Sequence, residues 1–308
     1  MKIRILPAAF LLILVTTFLP QASALVLWNL DNNANQTDPG GGLPWDTVGR
    51  VAGADRSLAS TTGSAIHLGG GYMLTANHVT LTANQSITFD GVTSFAVDDT
   101  FTSNNGTVLG KQVAPGVDLK VFKLTSTPLV GAVALNSVGA LVSSATLVGY
   151  GVGRGATSLG ESTVAWGALD TVAKRWGVNV PRQLVTVGGG GYNYTAIETI
   201  AGASTGDPAG LGNSEAGLTL MDSGSAMFQY ISGSWRLIGV GTTVQQLDTT
   251  VFGNDQVSGS KGDSFYHASI STYRTQILGI IPEPAPVSLL LGAAGFGVFL
   301  FLRRSRPA

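Results

Sequence analysis

Three short stretches carry residue types that together perform nucleophilic chemistry. Met221-Asp222-Ser223-Gly224-Ser225 sets a serine between an acid and a glycine inside a Gly/Ser turn, a way to expose a hydroxyl. Thr75-Ala76-Asn77-His78-Val79 brings a histidine just past an apolar strand, where an imidazole can face a cleft. Gly116-Val117-Asp118-Leu119-Lys120 places a carboxylate at the entrance of an alternating run. A serine hydroxyl is a weak nucleophile until a base takes its proton, and imidazole suits that task near neutrality. A buried carboxylate can orient such an imidazole and steady its charged form. Each stretch alone is also ordinary turn or capping chemistry.

The elements that must position these groups follow from composition. Glycine is 42 of 308 residues and charged residues are only 11%, which suits a loop-rich all-β chain and excludes helical bundles and disorder. With no cysteine, disulfides and thiolate metal sites are excluded, so packing alone holds the core. Ser64–Leu68, a Gly69-Gly70-Gly71 turn and Tyr72–Ala76 read as a hairpin that delivers the chain to His78. Short alternating segments follow at 85–90, 93–97 and 106–113. Residues 25–47 read as an exposed lead-in, and Asp31, Asn32, Asn33 and Asp38 lack the ligand spacing of a calcium loop. Gly188–Gly191 lacks the Lys-Ser/Thr of a phosphate loop and reads as a flexible surface loop. His67 and His267 read as strand residues, with His267 close enough to a pocket to meet an acidic substrate side chain. No cofactor and no metal are expected.

Both termini read as addresses. Lys2 and Arg4, an apolar run from Ile5 to Leu19 and Ala22-Ser23-Ala24 form a signal peptide over 1–24, with maturation expected after Ala24. Pro282-Glu283-Pro284, an apolar run over 287–302 and Arg303-Arg304-Ser305-Arg306 form the other end. Sixteen helical residues span about 24 Å, short of a bilayer core of about 30 Å. Motif, short span and arginine cluster resemble the PEP-CTERM sorting signal of bacteria with an outer membrane. That resemblance implies transient membrane association, removal of segment 281–308 by an exosortase-type enzyme, and delivery to the cell surface or extracellular matrix. Between the two addresses the body carries 12 Lys+Arg against 17 Asp+Glu, about −5, which argues against a nucleic-acid partner.

Taken together, the body resembles the chymotrypsin-like (trypsin-like) serine peptidases. Leu74-Thr-Ala-Asn-His78 is similar to that family's histidine segment, Val117-Asp118-Leu119-Lys120-Val121 to its aspartate strand, and Met221–Ser225 to its serine loop. The order His, Asp, Ser is also the family's. Ala145–Gly151, Ile238–Thr242 and Phe265–Ile277 resemble later strands and the closing helix, so the likeness spans residues 48–279. It implies two packed six-stranded antiparallel barrels over 48–280, meeting near 130–140, and a short C-terminal helix. It implies hydrolysis of polypeptide substrates, with Ser223 as nucleophile, His78 as base and Asp118 as orienter. The backbone N–H groups of Met221 and Ser223 would form the oxyanion hole. Gly217, Thr242 and Asp263 would belong to the substrate pocket, and Gly217, where a pocket-floor acid selects Lys/Arg, predicts no trypsin-like preference.

Two departures stand out. Met221 occupies a position that is glycine in the family. Asp222 normally pairs there with an α-amino group freed by zymogen cleavage, whereas Val51 lies only 27 residues before His78 and is expected in a strand. An internal partner or the Leu25 amine is expected for Asp222 instead. Two other classes compete with the peptidase: a catalytically idle barrel serving adhesion or matrix assembly, and a membrane-tethered structural protein whose tail persists.

Overall fold

Short alternating runs broken by glycine turns favour sheet, and sheet is what the chain builds. The structure is a computed structural model and describes residues 25–27, 32–139, 143–155, 167–200, 211, 214–245 and 264–282. The expected signal peptide, Asp31, Asp263 and the apolar span at 287–302 lie outside the described residues. No helix among the described residues is long and apolar enough to cross a membrane.

Strand β1 (Val26–Leu27) precedes a first group of β2 (Val48–Ala52), β3 (Thr61–Gly69), β4 (Tyr72–Thr75), β5 (Ser86–Thr88), β6 (Ser94–Ala96), β7 (Lys111–Gln112) and β8 (Lys120–Lys123). The second group comprises β9 (Ala145–Gly151), β10 (Ala173–Asn179), β11 (Gln183–Gly189), β12 (Tyr192–Ile200), β13 (Ala216–Gly217), β14 (Ala226–Ile231), β15 (Ser234–Gln245) and β16 (Ser264–Ser269). Helix α1 (Ile270–Ile280) closes it.

The first group forms a seven-stranded antiparallel sheet in the order β6-β5-β2-β3-β4-β8-β7. Seven strands of the second group form another, β10-β9-β14-β15-β16-β12-β11, while β13 pairs with β1. The all-β class with a short C-terminal helix is as expected, with seven strands per sheet where six were predicted. The surplus has a plain origin. β7 is a two-residue edge strand, and β10 and β11 are one run that changes partner from β9 to β12 around Pro181. Proline supplies no N–H to a ladder, so pairing breaks there. Both sheets curl. Asp98 N–H donates to Lys123 O at 2.8 Å and Thr125 N–H to Ala96 O at 3.0 Å, tying β6 back to the end of β8. In the second sheet the outermost strands, β10 and β11, are neighbours in sequence, which folds that sheet back on itself.

Alternation gives each sheet an apolar inner face. Val51, Met73, Ile87 and Phe122 fill the first sheet, and Leu147, Met227, Ile238 and Phe265 fill the second. A third cluster, including Val48, Leu74, Val148 and Phe228, joins residues of both sheets. Burying each such side chain fully contributes about 1.5–3 kcal/mol. Helix α1 buries Ile270, Tyr273 and Ile277 at helical spacing, and the Tyr273 hydroxyl accepts the Thr195 N–H at 2.7 Å.

The lead-in differs from expectation. Leu25, Val26 and Leu27 are fully buried, because three consecutive apolar residues gain more in the second sheet's core than in water. Asn32 is anchored rather than solvated: its amide donates to Arg154 O at 2.8 Å and accepts the Arg154 N–H at 2.6 Å. Val51 lies in β2 and is buried, in line with its assignment to a strand.

Candidate active site

Strand pairing brings the histidine and aspartate stretches together. β4 and β8 are antiparallel with Thr75 opposite Lys120, so the exit of β4 and the entrance of β8 lie at one end of the sheet. His78 sits in a turn closed by Val79 N–H donating to Ala76 O at 3.2 Å. Asp118 grips it twice: Oδ1 accepts the His78 backbone N–H at 3.0 Å, and Oδ2 lies 2.8 Å from Nδ1. The Asp118 side chain is 4% exposed and that of His78 39%, so the carboxylate is sealed off while the imidazole reaches solvent.

Ser223 arrives from the other sheet, in the loop between β13 and β14. Its Oγ lies 2.6 Å from His78 Nε2. The loop is stapled to both sheets: Ser223 O accepts the Ser64 N–H of β3 at 2.8 Å, and Gly224 N–H donates to Gly241 O of β15 at 2.7 Å. Gly224 has φ +88°, and a Cβ there would collide with Ser64 O and Thr75 Oγ1. No residue but glycine fits. The backbone N–H groups of Met221 and Ser223 have no hydrogen-bond partner among the described residues, so both are free to receive an anion.

Met221 is held in a conformation that glycine prefers. Asp222 N–H donates to Thr219 O at 3.2 Å, closing a four-residue turn with Met221 third and at φ +70°, the geometry of a type II turn. Flipping the Leu220–Met221 peptide would relieve Met221 and redirect its N–H, so the strain and the donor's direction are linked. A side chain in this region costs about 1–2 kcal/mol, partly offset by the extra freedom glycine gives the unfolded chain. Met221→Gly is therefore expected to stabilise the protein by about 0.5–1 kcal/mol. A Tm that is unchanged or lower in thermal melts would contradict this.

Asp222 has an internal partner. It is fully buried, and Oδ2 accepts the Thr219 N–H at 2.8 Å and the Thr219 hydroxyl at 2.9 Å. Oδ1 has no partner among the described residues. Burial pushes its carboxyl up to about 7 against those hydrogen bonds and the more distant Arg175 guanidinium. Glycines make its room: a Cβ on Gly149 would stand 2.6 Å from Oδ1, and one on Gly151 would overlap Oδ2.

A cavity of about 200 Å³ beside Ser223 is lined by Leu218, Thr219, Leu220, Met221 and the β15 residues Thr242 to Val244. Thr242 is thus in the pocket. Its hydroxyl accepts from Tyr194 OH at 2.8 Å and donates to Tyr266 O at 2.9 Å. Gly217 is not in that lining; it is buried in β13 opposite Val26. Asp263 lies outside the described residues. His267 lines neither this cavity nor the larger one beside His78. It is fully buried in β16, Nε2 lies 3.4 Å from Thr199 Oγ1, and burial lowers its pKa to about 3, so it is neutral. His67 is a buried β3 residue with Nδ1 2.9 Å from Gly131 O. Gly188–Gly191 does not form a free loop. It completes the turn of the β11–β12 hairpin, which borders the larger cavity. Two strand-like runs around a glycine turn, Gln183–Val187 and Tyr192–Ala196, were the available signal for that hairpin.

No protein-family model matches the sequence, and no curated protein matches it. Among solved structures the chain is similar to the active form of Rv3671c protease from M. tuberculosis, at 12% identity and TM-score 0.50, over 87% of this chain and 94% of that one. An inactive form of Rv3671c gives 13% identity and TM-score 0.50, over 83% and 98%. HtrA-type protease AlgW with a decapeptide gives 19% identity and TM-score 0.46 over 72% of this chain, which spans about half (52%) of the AlgW chain. At such identities the likeness to Rv3671c speaks to architecture, and with two curled antiparallel sheets and a closing helix the chain has the chymotrypsin-like fold.

Proposed function

We propose that the chain is a serine endopeptidase that cleaves polypeptides through an acyl-enzyme. The observation that carries this reading is the unbroken relay from Ser223 Oγ to His78 Nε2, and from His78 Nδ1 to Asp118, at 2.6 and 2.8 Å. Ser223 Oγ attacks the scissile carbonyl as His78 takes its proton, and His78 then protonates the leaving amine. The Met221 and Ser223 N–H groups receive the oxyanion, each worth about 3–4 kcal/mol in comparable sites. Water, activated by the same imidazole, releases the acyl group.

Substrate docks as an added strand. β14 pairs with β15 only as far as Val240, so Thr242–Gln245 keeps one strand edge unpaired among the described residues. An extended peptide continues the sheet there. Among the described residues, no Lys, Arg, Asp or Glu lines the pocket beside Ser223, which supports an uncharged side chain at the cleaved residue. Export by the N-terminal signal and sorting by the C-terminal segment complete the reading: an exosortase-type partner, and residence at the cell surface or matrix.

The test is fluorophosphonate labelling of purified residues 25–281. Labelling is expected in the parent chain and absent in Ser223→Ala. A parent chain that takes no label favours the idle-barrel reading.

A further inference from the structure

The β11–β12 hairpin projects from the second sheet and latches onto the two loops that carry His78 and Asp118. Asn193 N–H donates to Gly116 O at 2.8 Å, two residues before Asp118. The Asn77 side-chain amide donates to the Tyr192 hydroxyl at 3.2 Å, one residue before His78. Gly189, Gly190 and Gly191, at φ +146°, +59° and +87°, allow the tip to turn in so small a space. Between this arm and the edge of β15 lies a cavity of about 830 Å³ that reaches His78. Its walls include Val185, Val187, Tyr192, Tyr194, Val244 and Tyr266, and among the described residues its only ionisable side chains other than tyrosine are His78 and Asp118.

This cavity and the smaller one beside Ser223 share Thr242, Thr243 and Val244. Both ladders that β15 makes are antiparallel. A peptide pairing with its free edge in the same sense runs toward Ser223, with its N-terminal side beside Val244. Successive side chains of a strand point to opposite faces. The residue that supplies the scissile carbonyl enters the smaller cavity, and the second and fourth residues, counting back from the cut, face the larger. At about 830 Å³ that space exceeds what one side chain fills.

We propose that the β11–β12 arm is a specificity element that selects bulky uncharged side chains, aliphatic or aromatic, at the second and fourth substrate positions before the cleaved bond, with the Tyr192 ring as part of its wall. This rests on the peptidase reading for which bond is cut, but not for binding. The arm is neutral and apolar where it meets substrate, so a charged side chain there loses its hydration without gaining a partner.

The experiment measures binding to the full body carrying Ser223→Ala, using fluorescein-labelled hexapeptides with Phe or Asp at both positions. The Phe peptide is expected to bind at least tenfold more tightly. Adding Tyr192→Ala should reduce that ratio below threefold, and Tyr192→Phe should keep it. Val187→Asp, at a half-buried site on the arm, should also reduce it and serves where Tyr192→Ala fails to fold. Equal binding of the two peptides, or a ratio that survives both Tyr192→Ala and Val187→Asp, overturns the proposal. Labelling of Ser223 is scored separately. A labelled chain without the ratio sinks the arm alone, whereas an unlabelled chain with the ratio sinks hydrolysis and leaves a peptide-binding arm.

Discussion

Asp118→Asn is expected to lower kcat about 10⁴-fold at neutral pH while fluorophosphonate labelling becomes correspondingly slow. The size of the effect follows from which carboxylate oxygen does what. Oδ1 accepts a backbone N–H from His78, a donor that cannot reverse its role, so the asparagine carbonyl must take that side. The new NH₂ group then faces Nδ1. Nδ1 becomes an acceptor, the ring proton moves to Nε2, and Nε2 donates to Ser223 instead of accepting from it. The geometry survives and the base is lost. Near wild-type kcat in Asp118→Asn, with its Tm unchanged, would remove Asp118 from the relay.

The second large effect concerns the proposed start of the mature chain at Leu25. Val26 lies opposite Gly217 in the antiparallel β1–β13 pair, so Leu25 comes at the end of β13 that leads into Leu218. The next residue, Thr219, holds Asp222. Asp222 is raised from 3.8 to about 7. Between those values the folded chain keeps a proton that the unfolded chain has lost, so stability falls as pH rises across that window, in total by on the order of 4 kcal/mol. A free Leu25 amine would supply a nearby cation and hold the carboxylate ionised. A chain starting at Leu25 should therefore keep its labelling rate from pH 6 to pH 8. One carrying Gly-Ser before Leu25 should label normally at pH 6 and about tenfold more slowly at pH 8, and Asp222→Asn should abolish the difference. Identical pH profiles for the two starts would exclude the Leu25 amine as partner and leave Thr219 alone in that role.

Much of this site was legible because catalytic chemistry constrains local sequence. Ser223, His78 and Asp118 each sit in a short stretch whose turn and strand residues announce where the side chain must go, and the structure brings those three together. The fold class was legible for a similar reason, since glycine turns and alternating runs leave few alternatives to antiparallel sheet. What escaped the sequence was non-local. The burial of Leu25–Leu27 depends on a partner strand about 190 residues away. Gly188–Gly191 reads as loose until the contacts of the neighbouring Asn193 and Tyr192 with Gly116 and Asn77 are known. Gly217 lies at the spacing expected of a pocket floor, yet β13 turns it toward β1 rather than into the cavity.

The stapling of Ser223 to Ser64, and of the hairpin to Gly116, has a consequence for how activity appears in time. The hydroxyl belongs to one half of the chain, and the base with its orienter belongs to the other. A nascent chain whose first half has folded holds an imidazole and a carboxylate but nothing to activate. One whose second half has folded holds an inert serine. On the proposed peptidase reading, hydrolysis begins only at docking, when few unfolded segments of the same molecule remain to be cut. If the chain is exported unfolded, as proposed above, this ordering would protect it from itself.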